Sequence, residues 1–186
     1  MLHETTAAEL RQQQAEKAIN RWVPARYRAA QVDRPEVAMW VAATLDGATE
    51  SLLIVGGLGT GKTHQAYAAA REVLLAKARA GRRCSFAAVT HAGLNDEVRP
   101  GGAGLDPYMS ADLLVLDDLG AAHVTSWNAD AAYRLIDHRW SNLMPTIFTS
   151  NFSAAELGGT LGERLSSRLF GMSRRVAMTG ADRRRA

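Results

Sequence analysis

Along the chain, short apolar runs alternate with longer stretches in which apolar positions recur at helical spacing. The first twenty residues have helical composition, with Leu10, Ala15, Ala18 and Ile19 forming a thin apolar stripe. Pro24, in "RWVPARY", breaks that pattern. A second helix is predicted from about Pro35 to Leu45, with Val37, Met39, Trp40 and Val41 among its residues, and Asp46–Gly47 marks the turn after it. Strands are predicted at Ser51–Val55, in "CSFAAVT", at Leu113–Asp117, at Thr146–Ser150 behind Pro145, and in "RRVAMTG". Between them the pattern predicts a helix from Lys62 to about Ala80 ended by Gly81, another over Ala129–Trp140, and one short helix within "ELGGTLGERLSSRLFG". Strands that are apolar throughout, rather than on alternate positions, belong to a parallel sheet covered on both faces. The expected fold is therefore α/β, a three-layer α/β/α sandwich around a five-stranded parallel sheet. Ligands of such sheets sit at the carboxyl ends of the strands, so chemistry is expected after Val55, Leu116 and Ser150.

Composition narrows the classes. With 186 residues, 47% of them apolar, the chain can bury one sizeable core. Cys84 is the single cysteine, so no internal disulfide can form, which suits a reducing compartment. The five histidines are scattered without metal-ligand spacing, which argues against a structural zinc site. No apolar run approaches the ~20 residues that span a bilayer. The amino-terminal "MLHETTAAELRQQQAEK" has no signal-peptide core. A cytoplasmic protein without membrane contact is expected. The net charge of +3 permits nucleic-acid binding without demanding it. Arg164, Arg168, Arg174, Arg175, Arg183, Arg184 and Arg185 crowd the last segment, opposed there by Glu163 and Asp182; a solvated basic tail would account for most of them. Outside that segment few cations cluster along the sequence. Weak, sequence-independent affinity for DNA with a shallow salt dependence is the expectation.

"GGLGTGKTH" follows the first strand and opens the long helix. Its Gly56, Gly61, Lys62 and Thr63 match the Walker A phosphate-binding loop. In such a loop, glycines let successive backbone N–H groups curl around phosphate while the helix offers its positive end. Gly56, Gly57, Leu58, Gly59, Thr60, Gly61, Lys62, Thr63 and His64 are the expected nucleotide contacts, with Lys62 on the β- and γ-phosphates and Thr63 on Mg²⁺. "LLVLDDLG" supplies a buried strand ending in two carboxylates. Asp117 is the expected Mg²⁺ ligand, with Thr63, and Asp118 is placed to orient or deprotonate an attacking water. "PTIFTSN" ends a further strand in Thr149, Ser150 and Asn151, and the amide of Asn151 is placed to sense the γ-phosphate. Arg164 and Arg168, four apart in "GERLSSRLFGM", share a helix face and could supply an arginine finger.

In this order, the motifs resemble the AAA+ ATPases of the DnaC/IstB-like family, which comprises bacterial and phage replicative-helicase loaders and transposition helpers. The likeness runs from "VPARYRAA" through "GGLGTGKTH", "ADLLVLDDLG", "LIDHRW" and "PTIFTSN" to "ERLSSRLFGM" and "VAMTGADRR". It implies a P-loop NTPase of AAA+ type without a C-terminal helical lid. It implies Asn151 as first sensor, Arg168 as the finger facing a neighbouring subunit with Arg164 beside it, and Arg139 as a further residue able to reach a neighbour. Val23, Arg26 and Tyr27 would lie against adenine. The family's helical DNA-lining insertion would fall in "HAGLNDEVRPGGAGLDPYMSAD", which is short and Gly-rich here, with Arg99 its main cation. Residues 1–22 would be an N-terminal helix or the remnant of a partner-binding region, and 23–186 the AAA+ ATPase domain. The implied activity is slow Mg-ATP hydrolysis, weak in an isolated monomer, by a protein that forms homo-oligomers with ATP. Its implied partners are a replicative ring helicase and, weakly or through that partner, single-stranded DNA. An IstB-like transposition helper, a small-molecule P-loop kinase and a binding module with negligible hydrolysis are the alternatives.

Overall fold

The computed structural model describes residues 6–120 and 126–180. Residues 1–5, 121–125 and 181–186 lie outside it, among them His3, His123, Arg183, Arg184 and Arg185. Helix α1, Ala7–Trp22, starts at Thr6, whose hydroxyl accepts from the Glu9 N–H while the Glu9 carboxylate accepts from the Thr6 N–H. Val23, in extended backbone, ends it ahead of Pro24. A 3₁₀ turn at Ala25–Tyr27 leads to α2, Pro35–Leu45, which has proline in its first turn, where a missing N–H costs nothing. Strand β1, Ser51–Gly56, is followed by α3, Lys62–Arg79, and β2, Phe86–Thr90.

Two departures from the sequence pattern follow. The connection expected as a short Gly-rich loop folds into α4, His91–Glu97, and α5, Asp106–Ser110. Their apolar residues are few, but Leu94 and Tyr108 are buried. After β3, Leu113–Asp117, α6, Ser126–Ser141, and β4, Thr146–Ser150, the single short helix expected next is instead two: α7, Ala154–Leu161, and α8, Glu163–Met172. Gly162, with φ of 78°, separates them, a backbone setting that a side chain disfavours. Strand β5, Ser173–Met178, closes the described fold.

The five strands are all parallel in the order β2-β3-β4-β1-β5, the α/β architecture expected. Right-handed crossovers then dictate the layers. The step from β1 out to β2 runs one way across the sheet, and every later step runs the other way. So α3, with α1 and α2 beside it, covers one face, and α4 to α8 cover the opposite one. Alternate strand residues feed the two cores. Leu52, Ile54, Leu113, Val115 and Ile147 pack under α1–α3, whereas Leu53, Leu114, Leu116 and Phe148 pack under α4–α8.

Candidate nucleotide site

The carboxyl ends of β1, β4 and β3 stand side by side, with β4 in the middle. That arrangement brings three stretches distant in sequence, with Leu58, Gly59, Gly61, Lys62, Thr63, His64, Asp118 and Asn151, to one cleft of about 450 Å³, whose lining Arg26 and Tyr27 of the 3₁₀ turn complete. Gly61 caps α3 with φ of 97°. The loop is closed on itself: Lys62 Nζ donates to the Gly57 carbonyl at 2.7 Å, and Thr60 Oγ1 donates to the same oxygen at 2.9 Å. Gly56 ends β1 opposite Met178 of β5. A Cβ at Gly56 would stand 2.2 Å from the Met178 carbonyl oxygen, so that position admits glycine alone.

Beneath the cleft, the end of β4 is stitched to the turn after β3. Asp118 takes a left-handed φ of 58°, and its N–H donates to Thr149 Oγ1 at 3.0 Å. The Leu119 N–H donates to the Thr149 carbonyl at 2.8 Å, and Ser150 Oγ donates to the Leu119 carbonyl at 2.7 Å. Asn151 Nδ2 donates to Asp118 Oδ1 at 2.8 Å, which couples the two polar ends that the sequence treats as separate motifs. Thr63 Oγ1 lies 3.1 Å from Asp117 Oδ1, and Thr149 Oγ1 also donates to that oxygen. Burial raises the Asp117 carboxyl above its ordinary value; the Asp118 charge adds to this, while the hydroxyls of Thr149 and Thr63 pull the other way. A hydroxyl and a carboxylate oxygen together suit a hard cation such as Mg²⁺, which takes oxygen ligands and keeps waters and phosphates for the rest of its shell. Among the described residues no cluster of His, Cys, Asp and Glu offers any other metal site.

Thr149 is the participant that the strand pattern alone does not single out. Its role depends on β4 lying next to β3, and the signal available in the sequence is only that a hydroxyl precedes Ser150 and Asn151. His91 is a second such residue. It is buried at the start of α4, its Nδ1 accepts the Gly120 N–H at 3.2 Å, and burial lowers its pKa. The neutral imidazole thereby anchors the far end of the turn that carries Asp118.

Two expected residues, Val23 and Arg139, are not where the sequence placed them. Val23 is buried in the core beneath α1–α3 and does not line the cleft, though Tyr27 does, with its ring stacked on Tyr67 at 5.4 Å. Arg139 is not available to a neighbour. It is wholly buried, with Nε on Thr146 Oγ1 and its two amino groups on the carbonyls of Tyr108, Met109, Ala111 and Pro145. Burial lowers its pKa to about 10, so it stays charged at neutral pH and pins α5 and the entry to β4 to α6. Arg168 lies outside the cleft of its own chain, as a residue directed at a neighbour would. Its Nε is 2.6 Å from Asp137 Oδ1, its Nη1 donates to Tyr133 Oη at 2.7 Å, and its guanidinium covers the rings of Tyr133 and Trp140.

A family model described as IstB-like ATP binding protein matches residues 6–175. The replicative helicase loader DnaC of Escherichia coli K12 is 30% identical over 132 residues, 67% of this chain and 51% of that protein. An ATP-binding protein in an insertion sequence of Mycobacterium tuberculosis is 32% identical over 143 residues, 72% of this chain and 55% of that protein. The chain thus spans about half the length of the curated relatives it matches. Among solved structures, the DnaC helicase loader superposes with a TM-score of 0.69 at 24% identity, covering 84% of this chain and all of that one. DnaI superposes at 0.71 with 23% identity over 87% of this chain and 94% of that one. AMPPCP-bound DnaA from Aquifex aeolicus superposes at 0.66 with 22% identity, over 84% and 51% of the two chains. These likenesses establish the AAA+ P-loop fold.

Proposed function

Because the chain belongs to the IstB-like ATP-binding protein family, we propose that it binds Mg-ATP in this cleft, hydrolyses it slowly, and uses the cycle to load a replicative ring helicase. The observation that carries the reading is the convergence on one cleft of Lys62, Thr63, Asp118 and Asn151, drawn from three strand ends. Each has a task that its chemistry suits. Lys62 exchanges the Gly57 carbonyl for phosphate oxygens, and the glycine-rich backbone donates around the β-phosphate. Thr63 and Asp117 would hold Mg²⁺, which offsets charge on the phosphate oxygens when bound. Asn151 holds one oxygen of Asp118, leaving Oδ2 to accept a proton from water aimed at the γ-phosphate. Arg26 and the stacked Tyr27 form the wall on the base side.

The second reading is a transposition helper, favoured by the similarity to the insertion-sequence protein. A small-molecule kinase is disfavoured by the match of residues 6–175 to the IstB-like ATP-binding family; Asp118 alone does not decide, since a carboxylate there could accept a proton from a substrate hydroxyl as well as from water.

One experiment addresses both the chemistry and the partner. ATP-loaded protein is passed over immobilised ring helicase and, separately, over immobilised duplex DNA, beside Lys62→Ala and Asp118→Asn. The expected outcome is ATP-dependent retention on helicase, lost in Lys62→Ala together with ATP binding measured by calorimetry. Asp118→Asn should bind ATP and helicase but release phosphate at least about 10²-fold more slowly, the low end of what a positioned acid–base group contributes. ATP-dependent filaments on duplex without helicase retention would favour the helper. Undiminished ATP affinity in Lys62→Ala would remove the loop assignment.

A further inference from the structure

We propose that the outer face of α3 is a docking surface for the phosphate backbone of duplex DNA. The proposed contact does not involve the nucleotide cleft; it is made with duplex in the absence of ATP, and is read separately from the ATP-dependent filaments that would mark a helper.

Helix α3 lies between α1 and α2, and its outward side is flanked by shallow clefts. One is lined by Arg71, Leu75 and Arg79 with residues 30–32; another by Arg28 and Arg71 with Glu16, Ile19 and Asn20. A third, at the carboxyl end of α3, has Arg11, Arg82 and Arg83 in its walls. Positions 71, 75 and 79 recur every four residues and so form one stripe of the helix. Arg28 extends this stripe at one end, and Arg11, Arg82 and Arg83 extend it at the other. Six arginines, widely spaced in the sequence, thus fall on one face.

Their partners distinguish this face from an ordinary salt-bridged surface. Ion pairs among the described residues engage Arg34, Arg99, Arg168 and Arg174, and none of these six. Arg11 donates to the Ala7 carbonyl, Arg28 to the carbonyls of Val23 and Asn20, and Arg82 to the Leu45 carbonyl. Neutral oxygens orient these guanidiniums without discharging them. Glu16, Glu72 and Asp112 edge the clefts; Glu16 accepts from Gln12 and Asp112 from Ser85 rather than from these arginines. A row of six arginines against three carboxylates, with no ion pair between them, keeps a positive excess that is complementary to an external polyanion.

The row fits a duplex better than other polyanions. From Arg71 to Arg79 the helix rises about 12 Å, a length over which duplex DNA carries roughly seven phosphate charges. Guanidinium forks bind phosphate oxygens in pairs. No aromatic residue lines the three clefts, so unstacked bases of a single strand would find no ring to stack on there. Backbone contact of this kind is blind to sequence. The scattered cations of the sequence become a surface only because α1 and the turn before β2 return to the same end of α3.

The test is fluorescence anisotropy with a short random-sequence duplex across a salt series, comparing the protein with its Arg71→Ala/Arg79→Ala/Arg83→Ala variant. Calorimetric ATP binding serves as the control for folding. Three lost phosphate contacts should lower the slope of log K against log salt by about 3 and the affinity at 0.15 M salt by roughly 100-fold. Arg71→Glu/Arg79→Glu should weaken binding at least as much. An unchanged slope overturns the proposal, as does a loss seen instead only on replacing Arg183, Arg184 and Arg185 by alanine. Tighter binding of a single strand of equal length overturns the choice of duplex. Competition by polyglutamate as effective as unlabelled duplex shows an acidic-protein surface in its place.

Discussion

Asp117 shows how a candidate metal ligand can weaken the fold that carries it. Its carboxylate is buried, its charge faces Asp118, and two threonine hydroxyls share one of its oxygens. The net effect raises its pKa, so the folded protein holds a proton more tightly than the unfolded chain does. Below the ordinary carboxylate range both states are protonated and stability from this group is fully present; it is lost as pH rises through the elevated folded value. Asp117→Asn removes the charge and keeps acceptors for the hydroxyls. It should raise the apo melting temperature at pH 7, by about 2–4 °C for each kcal/mol relieved, and flatten the fall in stability above the carboxylate range. Differential scanning fluorimetry across a pH series measures both, and a variant that melts lower than the parent at pH 7 would contradict the account. The same substitution should abolish stabilisation by Mg-ATP. Stability and ligand binding therefore move in opposite directions at this position.

Among the elements, those whose candidate site residues lie in contiguous stretches were legible in the sequence. The β1–α3 junction, the two carboxylates that end and follow β3 and the polar end of β4 are each set by local spacing, and the structure has those strands and helices where the pattern put them. Arg139 was not legible, because its carbonyl partners at Tyr108, Met109 and Ala111 lie 28 to 31 residues away. Nor were α4 and α5, whose stability comes from burying Leu94 and Tyr108 and not from an amphipathic pattern of their own. Gly56 marks the boundary between the two kinds of knowledge. The motif requires glycine there for the loop, whereas the fold requires it for the pairing of β1 with β5. A methyl group would meet the Met178 backbone, which cannot rotate aside as a side chain can. Gly56→Ala should therefore cost about 2–4 kcal/mol, the combined scale of overpacking and backbone strain, read from urea unfolding. Loss of ATP affinity at unchanged stability would instead confine the role of Gly56 to the loop.

At the scale of the whole molecule, the position of Arg168 bears on the proposed ATP hydrolysis. A finger must place its guanidinium at the γ-phosphate, and Arg168 sits on α8, clamped to α6 by Asp137, Tyr133 and Trp140 and outside its own cleft. The clamp also gives a long side chain a defined direction, which lowers the entropy lost when it meets a ligand. If Arg168 acts on ATP, it acts on the nucleotide of a neighbour. An arginine supplied in this way is worth about 10³–10⁵ in rate in GTPases, or ~4–7 kcal/mol. Dilute protein should then be a poor ATPase whose specific activity rises with concentration or with an assembled partner. The decisive measurement mixes two inactive variants, Arg168→Ala and Lys62→Ala, and follows phosphate release. The first keeps an intact cleft and lacks the finger; the second keeps the finger and lacks the cleft. In a mixed assembly some interfaces join the intact cleft of one to the intact finger of the other, and activity should partly return. Light scattering on the same mixture reports whether the variants assemble. Assembly without recovery would assign Arg168 to holding α8 against α6 and leave γ-phosphate chemistry to Lys62, Asp118 and Asn151.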